Sequence, residues 1–179
     1  MNPHNVLILP GWQNSGADHW QSRWEVAHDY TRVEQHDWQR PLRGDWIARL
    51  EEVLLTRDEP AVLVGHSLGC IHTAAWAVHS RNTQRVKAAL LVAPPDVERD
   101  DLRQILPGWA PVALQRLPFP TVVMSSNTDP FCDLMRAEGF AAAWGSRFID
   151  VGPHGHLNAA SGLGDWPEAY HQLQQLMAL

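Results

Sequence analysis

The strongest chemical signal in the chain is a serine flanked by two glycines. Residues Gly65–Gly69 have the sequence Gly-His-Ser-Leu-Gly, after the apolar run Ala61–Val64 and before a helical pattern. This context is typical of a nucleophile elbow, a sharp strand-to-helix turn that exposes the serine hydroxyl and strains its backbone. A Cβ at position 65 or 69 would collide with the neighbouring strand or helix, so glycine is expected at both. The pattern predicts Ser67 as a nucleophile.

Two partners for this serine follow later apolar runs. A serine hydroxyl is a weak nucleophile at neutral pH and needs a histidine base, which a carboxylate holds in the correct tautomer. The expected chain order is serine, acid, histidine. Asp129 follows the run Thr121–Ser125, and His156 follows Arg147–Val151. If both runs are parallel strands, all three groups emerge at the carboxyl edge of the sheet, where α/β sheets bind ligands. The sequence favours Ser67, Asp129 and His156 as a catalytic triad.

Each partner has a rival nearby. Asp133 is better explained as a helix cap, and Asp150 lies inside a predicted strand. His154 follows a proline, whereas His156 follows a glycine, whose small size lets the loop approach the serine. The alternating pair His154 and His156 could also bind a metal ion. No Cys, Glu or third His lies at a convincing spacing, so neither a metal nor another cofactor is predicted.

Negative charge that develops on an attacked carbonyl oxygen needs preorganised hydrogen-bond donors. The backbone N–H of Leu68, at the start of the helix after the serine, is one candidate. The turn Leu9–Trp12 resembles the His-Gly-x turn of many hydrolases, with Pro10 in place of the histidine. This resemblance nominates the backbone N–H of Trp12 as the second donor of an oxyanion hole.

The elements that must position these groups alternate between short apolar runs and segments with helical periodicity. This alternation is typical of an α/β fold in which helices cover both faces of a parallel sheet, a three-layer α/β/α sandwich. Predicted strands are Asn5–Leu9, Arg32–His36, Ala61–Gly65, Val86–Val92, Thr121–Ser125 and Arg147–Val151. Predicted helices begin behind Asp18 (in a capping box with Gln21), Asp45, Ser67, Asp133 and Asp165. Gly145 is placed to end the fourth helix, and Pro167 to begin the last.

The stretch from Asp96 to Pro120 is the only long segment without a clear strand. It is predicted to form a short helix plus an irregular loop. Long excursions of this kind in compact domains are usually functional or disordered. We therefore expect a functional, lid-like loop rather than a linker.

The aromatic residues fall into two groups. Six of the nine tryptophans lie at helix positions and are expected in the core: Trp20, Trp24, Trp46, Trp76, Trp144 and Trp166. Trp12, Trp38 and Trp109 lie on loops at the expected catalytic edge, as pocket walls or as loop anchors. With Phe131 they would crowd a shallow, apolar pocket for a small acyl group. Histidines without a constellation are expected at the surface or in caps: His4, His19, His28, His36, His72, His79 and His171.

Composition excludes several other classes. A length of 179 residues fits one domain, 1–179, at about 150 residues per domain. The net charge of -6 without a basic run argues against a nucleic-acid partner. The longest apolar runs fall far short of the roughly 20 residues of a membrane helix, and the start lacks the Lys and Arg of a signal peptide, so a cytoplasmic location is expected. Cys70 and Cys132 are too few for a disulfide framework and are expected to be buried thiols.

Taken together, the motifs resemble the small serine hydrolases of the α/β-hydrolase fold that include retinoblastoma-binding protein 9. The resemblance covers nearly the whole chain. It includes Pro10–Trp12, His19–Gln21, Asp45–Trp46, Gly65–Cys70, Ser126–Cys132, Gly155–Asn158 and Trp166–Pro167. It implies Ser67 as nucleophile, Asp129 as orienting acid and His156 as base. It also implies a reduced hydrolase sheet with strand order 2-1-3-4-5-6.

Three functions compete at this point. The leading hypothesis is a hydrolase that cleaves a small ester, thioester or amide through an acyl-serine intermediate. A second is a protein-binding module that keeps the fold without needing catalysis, and the intact triad argues against it. A third is an acyltransferase with the same triad. The expected partner is a small acyl substrate, and neither a nucleic acid nor a membrane is expected as a partner.

Overall fold

In the computed structural model, which describes residues 5–179, six strands form one sheet in the order β2-β1-β3-β4-β5-β6. The strands are β1 (Val6–Leu9), β2 (Thr31–Arg32), β3 (Ala61–His66), β4 (Val86–Val92), β5 (Thr121–Ser125) and β6 (Arg147–Asp150). All neighbouring strands run parallel. The predicted α/β class, parallel sheet and strand order are therefore confirmed.

Strand β2 is much shorter than predicted. Arg32–His36 was the predicted strand, but the sheet contains only Thr31–Arg32. One further backbone bond, from the N–H of Val33 to the carbonyl of Ile8, closes the pairing at 2.9 Å. The chain then turns away around Asp37, whose carboxylate accepts two backbone N–H bonds. An edge strand has one neighbour only, so a local turn outcompetes its pairing easily.

Residues 5–179 contain six α-helices, of which five lie between strands and α6 follows the last strand. They are α1 (Trp20–His28), α2 (Arg43–Leu55), α3 (Leu68–His79), α4 (Asp100–Ile105), α5 (Leu134–Trp144) and α6 (Pro167–Met177). As predicted, α3 begins directly after Ser67, Gly145 ends α5 in the left-handed conformation, and Pro167 opens α6. None of the helices described is both long and apolar enough to span a membrane.

Several predicted caps are wrong. The N-cap of α1 is His19, whose ring accepts a hydrogen bond from the backbone of Gln21, so the capping box of Asp18 does not form. The Gln21 side chain instead donates to backbone carbonyls of two strands inside the fold. Asp45 lies within the first turn of α2, and Asp165 precedes the N-cap of α6. At α1, the tertiary bonds of Gln21 replace the local capping bond that the sequence predicts.

The core lies on both faces of the sheet because alternate strand residues point in opposite directions. Helices α2, α3 and α5 cover one face, with Trp46, Trp76 and Trp144 among the buried residues. Helices α1 and α6 cover the other face, with Trp20, Trp24 and Trp166. All six helix tryptophans are at most 5% exposed, which confirms their predicted place in the core.

The segment from Asp96 to Pro120 contains α4 and otherwise no helix or strand, as predicted. It lies between β4 and β5, so it begins at the carboxyl edge of the sheet. The same edge carries the loops after β1, β3, β5 and β6. These loops bring together the groups described next.

Candidate active site

Ser67 lies at the turn between β3 and α3 with φ 54° and ψ −123°. A non-glycine residue rarely adopts a positive φ, and such strain at a turn is typical of a nucleophile elbow. The predicted need for flanking glycines is confirmed. A Cβ on Gly69 would lie 2.1 Å from the carbonyl oxygen of Leu9, and one on Gly65 would lie 3.0 Å from the backbone of Gly69.

The three predicted triad side chains form one hydrogen-bonded row. The Nε2 atom of His156 lies 2.8 Å from the Oγ atom of Ser67. Its Nδ1 atom lies 2.9 and 3.0 Å from the two carboxylate oxygens of Asp129. The side chains of His156 and Asp129 are 9% and 2% exposed, so the pair is shielded from water. In this geometry His156 can take the serine proton while Asp129 fixes its tautomer.

Two hydroxyl side chains join the loop of Asp129 to the loop of His156. Ser126 Oγ accepts a hydrogen bond of 2.8 Å from the backbone N–H of His154. Thr128 Oγ1 accepts one of 3.0 Å from the backbone N–H of Gly155. These bonds fix the backbone immediately before His156. The position of Ser126 and Thr128 just before Asp129 in the sequence is the one signal that points to this role.

The rival residues lie in other environments. Asp133 is the N-cap residue of α5, although its side chain makes no capping bond. Asp150 ends β6 and is exposed, with a carboxylate oxygen that accepts from the backbone of Gly152. The His154 side chain is exposed. Both ring nitrogens of His156 are engaged in the row with Ser67, and within residues 5–179 no three His, Cys, Asp or Glu side chains are grouped to hold a metal ion.

The two nominated oxyanion donors lie beside the serine. The loop after β1 approaches it so closely that a Cβ on Gly11 would be 2.9 Å from the Cβ of Ser67 and 3.1 Å from the backbone nitrogen of Leu68. Trp12 follows directly. Within the described chain neither Trp12 nor Leu68 donates its backbone N–H to a protein acceptor. No protein acceptor therefore competes with a ligand for either N–H group.

A cavity of about 450 Å³ opens over Ser67. Apolar lining side chains include Pro95, Leu102 and Leu106 of one segment and Phe131 of another. The remaining lining comes from residues 11–14, Gly16, His19, residues 66–67, His156 and residues 158–160. The Phe131 ring packs edge-on against His156, with 4.6 Å between ring centroids. A larger surface crevice of about 710 Å³ lies beside α2 and contains none of the triad residues.

Two of the four nominated pocket aromatics, Trp12 and Phe131, line this cavity, whereas Trp38 and Trp109 do not. Trp109 is fully buried in the core, and its indole N–H donates to the carbonyl of Pro41 at 2.8 Å. Trp38 packs against Trp46, 5.5 Å between ring centroids. The predicted pocket role is wrong for both, because each indole finds its apolar surroundings in the core. Leu102 and Leu106 of the same segment face the cavity instead.

Two buried histidines, His19 and His66, line the cavity over Ser67. The Nε2–H group of His66 donates to the backbone carbonyl of His156 at 2.9 Å. The rings of His19 and His66 lie 4.6 Å apart, and those of His66 and His156 lie 5.0 Å apart. Burial lowers the pKa of His19 to about 3 and holds the pKa of His66 well below its usual value. Both rings are therefore neutral at neutral pH, and His66 supports the loop of His156.

Not all the remaining histidines match the expected surface or cap positions. His19 is a cap, as expected, but it is also a buried cavity wall. His72 is fully buried in the core, where its ring donates to the carbonyl of Trp46 at 2.7 Å, so the surface expectation is wrong for it. His4 lies outside the described residues. A neutral, hydrogen-bonded imidazole packs like an aromatic ring. No sequence pattern at His19 or His72 indicates that the side chain is buried.

Both cysteines are buried thiols, as predicted. Cys70 follows the elbow, and its Sγ donates to the carbonyl of Val92 at 3.2 Å. Burial raises the pKa of Cys70 well above its usual value and that of Cys132 to about 12. Neither forms the thiolate that a cysteine nucleophile requires.

The chain is similar to known hydrolases in sequence and fold. A family model described as serine hydrolase matches residues 6–175. Similar solved structures include one described as a YdeN-like hydrolase from Pectobacterium atrosepticum, with 28% identity over 96% of this chain and 89% of that chain, and a TM-score of 0.84. The ydeN gene product of B. subtilis has 19% identity over 97% and 98%, with a TM-score of 0.76. The esterase RhEst1 from Rhodococcus sp. ECU1013 has 14% identity over 97% and 90%, with a TM-score of 0.65. These last two show likeness of fold alone. No curated protein matches the chain by sequence.

Proposed function

The chain belongs to the serine hydrolase family, and we propose that it cleaves a small ester, thioester or amide through an acyl-serine intermediate. The observation that carries this proposal is the row from Ser67 Oγ through the ring of His156 to Asp129, with contacts of 2.8 and 2.9 Å. A nucleophile, a base and an orienting acid in this order are what acyl transfer to serine requires.

Acylation begins when Ser67 Oγ attacks the substrate carbonyl carbon and gives its proton to Nε2 of His156. The carbonyl electrons move onto oxygen, where the backbone N–H groups of Trp12 and Leu68 stabilise the negative charge. Asp129 keeps the proton on Nδ1 and stabilises the imidazolium. The bond to the leaving group then breaks, and His156 gives the proton to the departing atom.

Deacylation repeats these steps with water. His156 takes a proton from the attacking water, and the oxyanion forms at the same donors. When the bond to Ser67 Oγ breaks, the serine recovers its proton from His156, and a carboxylic acid leaves. An alcohol in place of water would give an ester instead, so product analysis with competing alcohols distinguishes hydrolysis from acyl transfer.

The cavity supports a small substrate. Its volume of about 450 Å³ lies near the lower end of the usual range for ligand pockets. Its apolar wall favours short acyl chains or a compact aromatic acyl group.

The closer relation to retinoblastoma-binding protein 9 and the cytoplasmic location stay predictions.

Activity-based labelling tests this proposal directly. A fluorophosphonate probe should label the wild-type protein, and peptide mapping should find the adduct on Ser67. Ser67→Ala should lose both labelling and hydrolysis of a p-nitrophenyl ester. Its thermal unfolding midpoint should hold or rise, because catalytic residues often occupy strained settings. Retained ester hydrolysis by a folded Ser67→Ala protein would refute the assignment.

A further inference from the structure

We infer that Leu102 and Leu106 form a fixed wall that limits the length of the acyl group, an inference that rests on the proposed acyl-serine reaction. Both leucines line the cavity of Ser67, and each is 4% exposed. Leu102 lies in α4 and Leu106 is its C-cap, and the backbone N–H of Leu106 donates to the carbonyl of Leu102 at 2.7 Å. Ile105, between them in sequence, is 43% exposed and does not line the cavity.

The chemistry of the row assigns this wall to the acyl side. His156 must give its proton to the leaving group, so that group lies against His156 in the cavity. The Phe131 ring packs on His156 and so flanks the leaving-group side. The acyl group extends away from His156. The remaining apolar lining is Trp12 on the loop after β1, Ala159 and Ala160 on the loop after His156, and Pro95, Leu102 and Leu106. Of these, only Pro95, Leu102 and Leu106 lie outside the loops that carry an oxyanion donor or the base.

Hydrogen bonds hold the segment that carries Leu102 and Leu106 both before and after α4. Before α4, the backbone N–H of Asp96 donates to the carbonyl of Phe131 at 2.9 Å. After α4, Trp109 is fully buried and donates to Pro41. Glu98, which precedes α4, binds the chain that follows α4, since its Oε1 atom accepts a hydrogen bond from the backbone N–H of Val112. Its Oε2 atom forms an ion pair with Arg136 of α5. A wall held in this way limits substrate size instead of opening for larger groups.

The expected consequence is a chain-length optimum that depends on these two leucines. One methylene in an apolar pocket changes transition-state binding by roughly tenfold or more. Leu106→Ala or Leu102→Ala removes the branched end of the side chain and creates room for additional acyl carbons. We expect the optimum to move to longer acyl chains, and kcat/KM for the first excluded chain length to rise at least about tenfold relative to the acetate.

Two substrate series test the inference. The first varies the acyl group from acetate to decanoate with p-nitrophenol as the constant leaving group. The second keeps acetate constant and varies the alcohol. Leu106→Ala and Leu102→Ala should shift the optimum in the first series, while the matched control Ile105→Ala should match the wild type. Leu106→Phe should shift the optimum to shorter chains, which provides a test even if an alanine variant fails to fold.

The outcomes separate the wall from the proposed function. In one outcome, the leucine variants fold, react with the fluorophosphonate probe and keep the wild-type acyl chain-length profile. That result would overturn the proposed role of Leu102 and Leu106 and leave the proposed hydrolase function standing. A shift confined to the alcohol series, or an equal shift in Ile105→Ala, would also overturn that role. A wild-type protein that neither reacts with the probe nor hydrolyses any ester would overturn both proposals.

Discussion

Ser126→Ala should loosen the loop that carries His156. The hydroxyl is fully buried and accepts backbone N–H bonds from His154 at 2.8 Å and from Thr128 at 3.3 Å. Each such bond contributes about 1 kcal/mol net, so the loss of both should cost about 2 kcal/mol of unfolding free energy. For a chain of this length that corresponds to a fall of about 4–8 °C in Tm.

Ser125→Ala is the matched control. Ser125 is 2% exposed, and its Oγ makes no hydrogen bond within the described residues. Removing an unpaired buried hydroxyl leaves no donor unsatisfied, so its free energy of unfolding should stay equal to that of the wild type or rise slightly. The two variants make the same chemical change at adjacent positions. They differ in whether the hydroxyl holds the loop of His156.

The rate of ester hydrolysis should also fall in Ser126→Ala and stay unchanged in Ser125→Ala. A displacement of about 1 Å in a catalytic group can cost about a hundredfold in rate. We expect Ser126→Ala to lower kcat for a p-nitrophenyl ester by about tenfold or more, with Ser125→Ala close to the wild type. Thermal unfolding and steady-state kinetics on both variants provide the test. Equal Tm and equal kcat in the two proteins would refute the clamping role.

Three further results are expected. His156→Ala should lose at least about a thousandfold in kcat and His154→Ala little, whereas comparable losses would mean that the base is misplaced. Chelation with EDTA should leave ester hydrolysis unchanged, and a loss that zinc restores would revive a metal site at these two histidines. Burial lowers the pKa of His72 to about 4. Because the unfolded chain then binds more protons below pH 6.5, the free energy of unfolding should fall as the pH drops from 6.5 towards 4, with a contribution of about 2 kcal/mol at pH 5. His72→Gln should reduce this loss between pH 7.5 and 5 in urea unfolding, and an unchanged loss would contradict the assignment.

The elements predicted best are those whose requirements are local. The turn at Gly65–Gly69 needs small residues at two fixed positions, so the pattern itself indicates the strained backbone of Ser67. The continuous apolar runs of the central strands indicate burial on both faces, and from them follow the parallel sheet and the edge where Asp129 and His156 emerge. The order of these groups along the chain was therefore enough to propose the row of side chains.

Tertiary packing decided the features for which a residue has more than one suitable environment. Trp109 and Leu106 lie on the same segment and are both apolar and buried in the core, and only the packing of residues 96–120 on the fold decides that the leucine also lines the cavity whereas the tryptophan does not. His19 and Asp18 could each cap α1, and the contacts of the buried imidazole selected His19. Sequence periodicity indicates that a side chain is buried, but the neighbours it meets are set by long-range contacts. For that reason the reacting groups were predictable from the sequence, whereas the shape of the cavity around them was not.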